Sequence, residues 1–155
     1  MAGVLSALIA VLGTLLGVAV SHLFQQRSAA REQVFMAQQQ LRGERMAVYS
    51  DFAGALTEFR RGQHDRWHRR DEDPDGDAHF EARVEAYRLR GVALHALFRV
   101  QLIASGPVVV DAAKNAYDMA NVVHKAGDRG ELSALGARAR EALEEFVRVA
   151  SGDVR

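Results

Sequence analysis

The chain has no cysteine, only two prolines, a single tryptophan and no net charge. Without cysteine there is neither a disulfide framework nor a thiolate metal cluster, which agrees with a reducing compartment. With only Pro74 and Pro107, helices have few obligatory breaks. A net charge of zero gives no overall field to draw the protein onto nucleic acid. Lysine is nearly absent as well, Lys114 and Lys125 being the two among the basic residues. With abundant Ala, Gly and Val, this arginine bias points to a high-GC bacterial genome. No window alternates with period two long enough for a sheet, and no repeat, glycine-rich phosphate loop, Ser/His/Asp pattern or cofactor fingerprint is present. An enzyme is therefore not expected, and no cofactor is implied.

The most informative absence is local. Residues 1–26 contain no Asp, Glu, Lys or Arg, and Gly3 to Val20 is almost purely apolar. About 20 such residues, rising about 1.5 Å each, match a hydrocarbon layer about 30 Å thick. A cleaved signal would need a basic segment before a shorter apolar run, whereas the first basic side chains, Arg27, Arg31, Arg42 and Arg45, all follow it. The positive-inside rule then places that flank in the cytoplasm. The expectation is a single-pass cell-membrane protein touching lipid through residues 2–24, N-terminus outside and C-terminal domain cytoplasmic.

Beyond the span the pattern is helical throughout. Val34, Leu41, Val48, Phe52, Ala55 and Phe59 recur at helical spacings, and the absence of proline from Val18 to Arg70 lets the span and the first polar helix run as one rod. Asp71 to Asp77, with Pro74 at its centre, ends that helix. A second helix over 78–104 is expected to bury Phe80, Val84, Tyr87, Gly91, Leu94 and Phe98. Pro107 opens a third, with Val110, Ala113, Tyr117, Ala120 and Val123 on one face. Gly127 is expected as a left-handed cap, and Asp128 with Glu131 as a capping box opening a fourth helix that buries Leu132, Leu135, Ala139, Leu143 and Phe146.

Lengths arrange these pieces. A first polar helix of about 65 Å exceeds a second of about 40 Å, so the second pairs with the distal part of the first, and the last two complete an up-and-down bundle. The fold class is all-α: a transmembrane anchor over 1–26, a helical stalk over 27–43 and an antiparallel bundle over 44–155. In the stalk, Val34, Phe35 and Leu41 are apolar sites that one chain cannot bury, which points to self-association. In the anchor, Gly13 and Gly17 form a GxxxG pair extended by Ser21, a surface for close helix association in lipid.

Other candidates sit near the end of the first helix. His64 and His68 lie one turn apart, a weak candidate pair for a metal; no third ligand is evident and the solvated helix end is the simpler reading. His95 and His124 fall near apolar faces, as hydrogen-bonded boundary residues would. The cluster Arg60, Arg61, Arg66, Arg69 and Arg70 lies where basic residues complement a helix C-terminus, and the acidic turn beside it argues against nucleic acid. Trp67 has two readings, packing on the second helix, which is favoured, or marking with Arg66 and Arg70 a partner surface.

Leu8 to Gly17, Phe24-Gln25-Gln26-Arg27, Arg42 to Ser50 and Phe59 to Trp67 together resemble the KilB-type proteins of Streptomyces, over nearly the whole chain. The resemblance implies a membrane-associated protein linked to the spread of conjugative plasmids between mycelial compartments and harmful when unregulated. It carries over no catalytic residue. Three function classes follow: a membrane-tethered scaffold that docks a cytoplasmic or membrane protein, a membrane-active homo-oligomer, and a metal-binding enzyme or sensor using His64 and His68.

Overall fold

A computed structural model describes the backbone of residues 2–155 and the side chains of residues 32–155. The chain is all-α, as the periodicity requires: α1 (Ala2–Glu72), α2 (Asp77–Ile103), α3 (Pro107–Asn121) and α4 (Arg129–Asp153), with a 3-10 turn at Val123–Lys125. Each boundary has a local cause. Pro74 lacks the donor that would continue α1, whose last turn closes with Asp73 N–H donating to Arg69 O at 3.0 Å. Pro107 stands in the first turn of α3, where its missing donor costs nothing.

Asp128 and Glu131 form the expected cap of α4. Asp128 Oδ1 accepts from Glu131 N–H at 2.8 Å, while Glu131 Oε2 accepts from the backbone N–H of Gly127 at 2.7 Å. Gly127 itself is not the left-handed cap expected of it, since no glycine among the described residues has positive φ. The 3-10 turn ends α3 instead, with Lys125 N–H bonded to Val122 O at 2.9 Å.

The chain divides into two compact units, Met1–Leu41 and Arg42–Arg155. In the first, Val34, Phe35, Met36 and Leu41 are exposed. The expected anchor over 1–26, including Gly13, Gly17 and Ser21, lies outside the residues whose side chains are described. Among the described residues no helix is long and apolar enough to cross a membrane.

The second unit is an up-down-up-down bundle. Near its start, Arg45 Nε donates to Ile103 O at the end of α2, and Tyr49 reaches Asp153 at the end of α4. Some five turns on, Gln63 meets Asn121 at the end of α3, and Arg129 opening α4 lies 3.5 Å from Asp71. Thus α2 and α4 run against α1 and α3 runs with it. The core is filled mainly from α1, by Phe52, Leu56 and Phe59. Phe52 meets Phe146 of α4 edge to face at 4.8 Å, and Phe59 stacks on Tyr117 of α3 at 5.8 Å. A second apolar cluster gathers Trp67, Val123, Ala126, Leu132 and Ala139.

The expected registers of α2 and α4 are corrected. On α2 the buried residues are Ala82, Ala86, Ala93, Ala96, Leu97 and Val100, whereas Phe80, Val84, Tyr87 and Phe98 are about half exposed. On α4, Gly136, Ala142 and Ala150 go inside with Leu132, Ala139 and Phe146, leaving Leu135 and Leu143 half-buried. Large α1 side chains occupy the space between helices, so the facing helices must present small ones to fill it without overpacking. The approach is close at Gly62, where a Cβ would stand 2.7 Å from Leu89 Cδ1, and at Gly136, where it would stand 2.7 Å from His64 Nε2.

Candidate functional site

With its alanines turned inward, α2 carries its aromatic residues outside. Phe80, Val84, Tyr87, Gly91, Phe98 and Leu102 follow one another at helical spacing, so they share one face. Phe98 is 50% exposed and Leu102 is 87% exposed. Half-exposed aromatics of about 150–250 Å² each make this an apolar surface on the order of 400 Å², as large as functional patches on monomers. Cations cover part of it: Arg83 lies 5.4 Å from the Phe80 ring centre and Arg66 lies 5.7 Å from that of Tyr87. An apolar groove of about 330 Å³ also opens between α1 and α4, lined by Met46, Tyr49, Phe146 and Val154 among others.

Beside the α2 face, Tyr87 forms one wall of a polar cleft of about 220 Å³ between the distal part of α1, α2 and the 3-10 turn. Gln63 is only 2% exposed, the buried polar member of the α1 core stripe that runs through Phe52, Leu56, Phe59 and Trp67. Its Nε2 donates to Asn121 O at 3.2 Å and lies 3.1 Å from His124 Nδ1. A backbone carbonyl can only accept, so the amide nitrogen must face it, and this fixes Oε1 on the other side. Gln63 Oε1 is buried without a hydrogen-bond partner.

Burial, reinforced by the charges of Arg66, Lys125 and Arg70, lowers the His124 pKa to about 4. The ring is therefore neutral near pH 7 and accepts from Gln63 through Nδ1, which puts its proton on Nε2. Arg66, Arg90 and Lys125 also line the cleft. Among the described residues no carboxylate pairs with any of the three, and none lines the cleft. Arg90 is steered by Tyr117, whose hydroxyl oxygen accepts from its Nε at 3.2 Å.

The expected surface of Arg66, Trp67 and Arg70 divides three ways. Trp67 is a core residue: it is 2% exposed, its indole Nε1 donates to Ala126 O at 2.8 Å, and it packs with the 3-10 turn and α4 rather than on α2. Arg70 caps the same corner, donating to His124 O at 3.1 Å and Ala126 O at 2.7 Å. Only Arg66 faces the cleft. Of the other arginines of the cluster, Arg61 pairs with Glu58 and Arg69 with Asp65 and Glu72, whereas Arg60 Nε is buried without a hydrogen-bond partner.

His64 packs over Gly136, and burial lowers its pKa. His68 is exposed with its ring edge to face against Trp67 at 5.2 Å. Among the described residues no group of three or more His, Asp or Glu side chains could hold a metal ion. His124 is the boundary residue its position suggests, whereas His95 is exposed. Sequence reasoning missed Gln63, although its signal was present: it falls on the buried stripe of α1, four residues from both Phe59 and Trp67. No curated protein and no solved structure matches the chain significantly. A family model described as KilB plasmid transfer protein matches residues 46–154.

Proposed function

The chain belongs to the KilB plasmid transfer protein family, and on that premise we propose that it is a membrane-tethered helical scaffold serving plasmid transfer, with the outer face of α2 as its docking surface. The observation that carries this reading is the run of exposed aromatic and aliphatic side chains, Phe80, Val84, Tyr87, Phe98 and Leu102, on a helix whose inward face is mainly alanine. Packing against the large α1 side chains requires small groups on the inner face of α2, but it does not require aromatic ones on the outer face. Here they stand ready for a second protein, the anchor-like run over 1–26 holds the bundle at the cell membrane, and the polar body faces the cytoplasm. Exposed Val34, Phe35 and Leu41, with Gly13, Gly17 and Ser21 in the anchor, support assembly of several copies.

The test pairs a cross-linking map with a transfer assay. A photoreactive side chain at Phe98 or Val84, expressed at native level beside a conjugative plasmid, should capture one defined protein at high yield. Phe98→Glu should abolish both that capture and plasmid spread while leaving the purified fold intact. Wild-type spread by a correctly folded Phe98→Glu variant would overturn the assignment of this face. Removal of residues 1–26 should move the protein from the membrane fraction to the soluble one, and persistence in the membrane fraction would refute the anchor.

A further inference from the structure

The cleft beside α2 has a donor and acceptor set that packing does not explain. Three cations, Arg66, Arg90 and Lys125, line one cleft that holds no carboxylate. Arg66 is half-buried while Arg90 and Lys125 are exposed, and like charges gathered at one cleft repel unless an anion neutralises them. Gln63, which also lines the cleft, carries in Oε1 a buried acceptor with no donor. Such a group costs free energy until something supplies an N–H or O–H. The two requirements are opposite in kind, since one needs negative charge and the other needs a donor.

From this juxtaposition of three cations that hold no carboxylate with the orphaned Gln63 oxygen, we propose that the cleft binds a hydroxyl-bearing phosphate ester of the glycerol phosphate type. The phosphoryl oxygens sit among Arg66, Arg90 and Lys125, where guanidinium forks can bond phosphate in pairs. The ligand hydroxyl donates to Gln63 Oε1, and the neutral His124 adds no further charge while holding the Gln63 amide in place. At about 220 Å³ the cleft is smaller than sites for drug-sized molecules, roughly 300–1,000 Å³, so it takes a head group or a small metabolite and not an extended chain. A simple anion such as sulfate meets only half of the requirement.

The same chemistry reaches the cleft from two sources, free glycerol phosphate and the head group of phosphatidylglycerol. Titration calorimetry on the full chain in neutral detergent would use sn-glycerol 3-phosphate, with methyl phosphate as the probe that lacks a free hydroxyl. Flotation with phosphatidylcholine vesicles, with and without phosphatidylglycerol, would be run beside it. Saturable binding of glycerol 3-phosphate is expected, weakened about tenfold or more in Lys125→Gln and Arg66→Gln and several-fold for methyl phosphate. Lys125 is exposed, so its variant keeps the fold, checked by an unchanged thermal midpoint. Because the anchor can itself float, vesicle binding counts for the lipid source only where Lys125→Gln removes the phosphatidylglycerol-dependent part.

Two results would overturn the proposal. One is the absence of saturation by either source up to ~10 mM ligand. The other is binding that is unchanged in both cation variants or equally tight for methyl phosphate. Neither result touches the α2 docking surface, which Phe98→Glu tests separately.

Discussion

Tyr49 and Asp153, separated by 104 residues in the chain, are joined by a hydrogen bond of 2.5 Å from the phenol to carboxylate Oδ2. Ser105 in the α2–α3 connection donates to the other oxygen, and Arg45 Nε stands 3.8 Å away. One carboxylate thus ties the last residue of α4 to α1 and to a loop. Tyr49→Phe keeps the edge-to-face contact with Phe146 at 6.0 Å and removes only the donor. It should cost about 1.5–3 kcal/mol in chemical denaturation, the range for a hydrogen bond to a charged group. Burial first, and then Asp153, push the Tyr49 pKa above the usual phenol value, so its ionisation should be absent from a spectrophotometric titration until the bundle unfolds.

Phe52 and Phe98 separate the two faces of the molecule. Phe52 is fully buried and Phe98 is half exposed on α2. Phe52→Ala should lose about 3–5 kcal/mol, whereas Phe98→Ala should leave the unfolding free energy of the bundle within about 0.5 kcal/mol. Equal losses in the two variants would show that α2 is turned the other way.

The alanines make the converse prediction. Ala93 and Ala113 have no exposed surface, so enlarging either to leucine should destabilise by about 1–3 kcal/mol through overpacking. A thermal midpoint that rises in Ala93→Leu would reveal a cavity where the packing shows none.

These contrasts explain what the sequence could and could not disclose. Helix number, the breaks at Pro74 and Pro107, the Asp128 and Glu131 cap and the up-and-down order depend on local chemistry and on length, and all are legible in one chain. The inward face of α2 is not. Periodicity marks two stripes on that helix, one aromatic and one alanine, and hydrophobicity favours the aromatic one. The choice falls to α1, whose Phe52, Leu56 and Phe59 fill the interior and leave room mainly for small groups opposite, four alanines beside Leu97 and Val100. The cleft was hidden for a related reason: Gln63 and His124 are far apart in sequence and meet only where the 3-10 turn packs on α1, and Arg90 joins them through that same rotation of α2.

His124 should make stability depend on pH. Its folded pKa, about 4, lies below the ordinary value of 6.5, so the unfolded chain takes up the proton more readily. The contribution is therefore fully present above about pH 6.5 and is lost as pH falls towards 4. His64 shifts in the same direction, also through burial. His124→Asn, which keeps an acceptor for Gln63 but cannot titrate, should show a shallower fall in thermal midpoint between pH 6.5 and 4 than the wild type. Parallel curves would mean that His124 titrates normally in the fold.

Trp67 is the only indole in the chain, and it is clamped by the Ala126 carbonyl one helical turn past Gln63. The molecule therefore carries its own optical gauge at the corner where α1, the 3-10 turn and α4 meet. Emission excited selectively from tryptophan reports on that corner alone, undiluted by any second fluorophore of its kind. A red shift that precedes the loss of helical circular dichroism would time the unfastening of the cleft wall separately from the melting of the bundle.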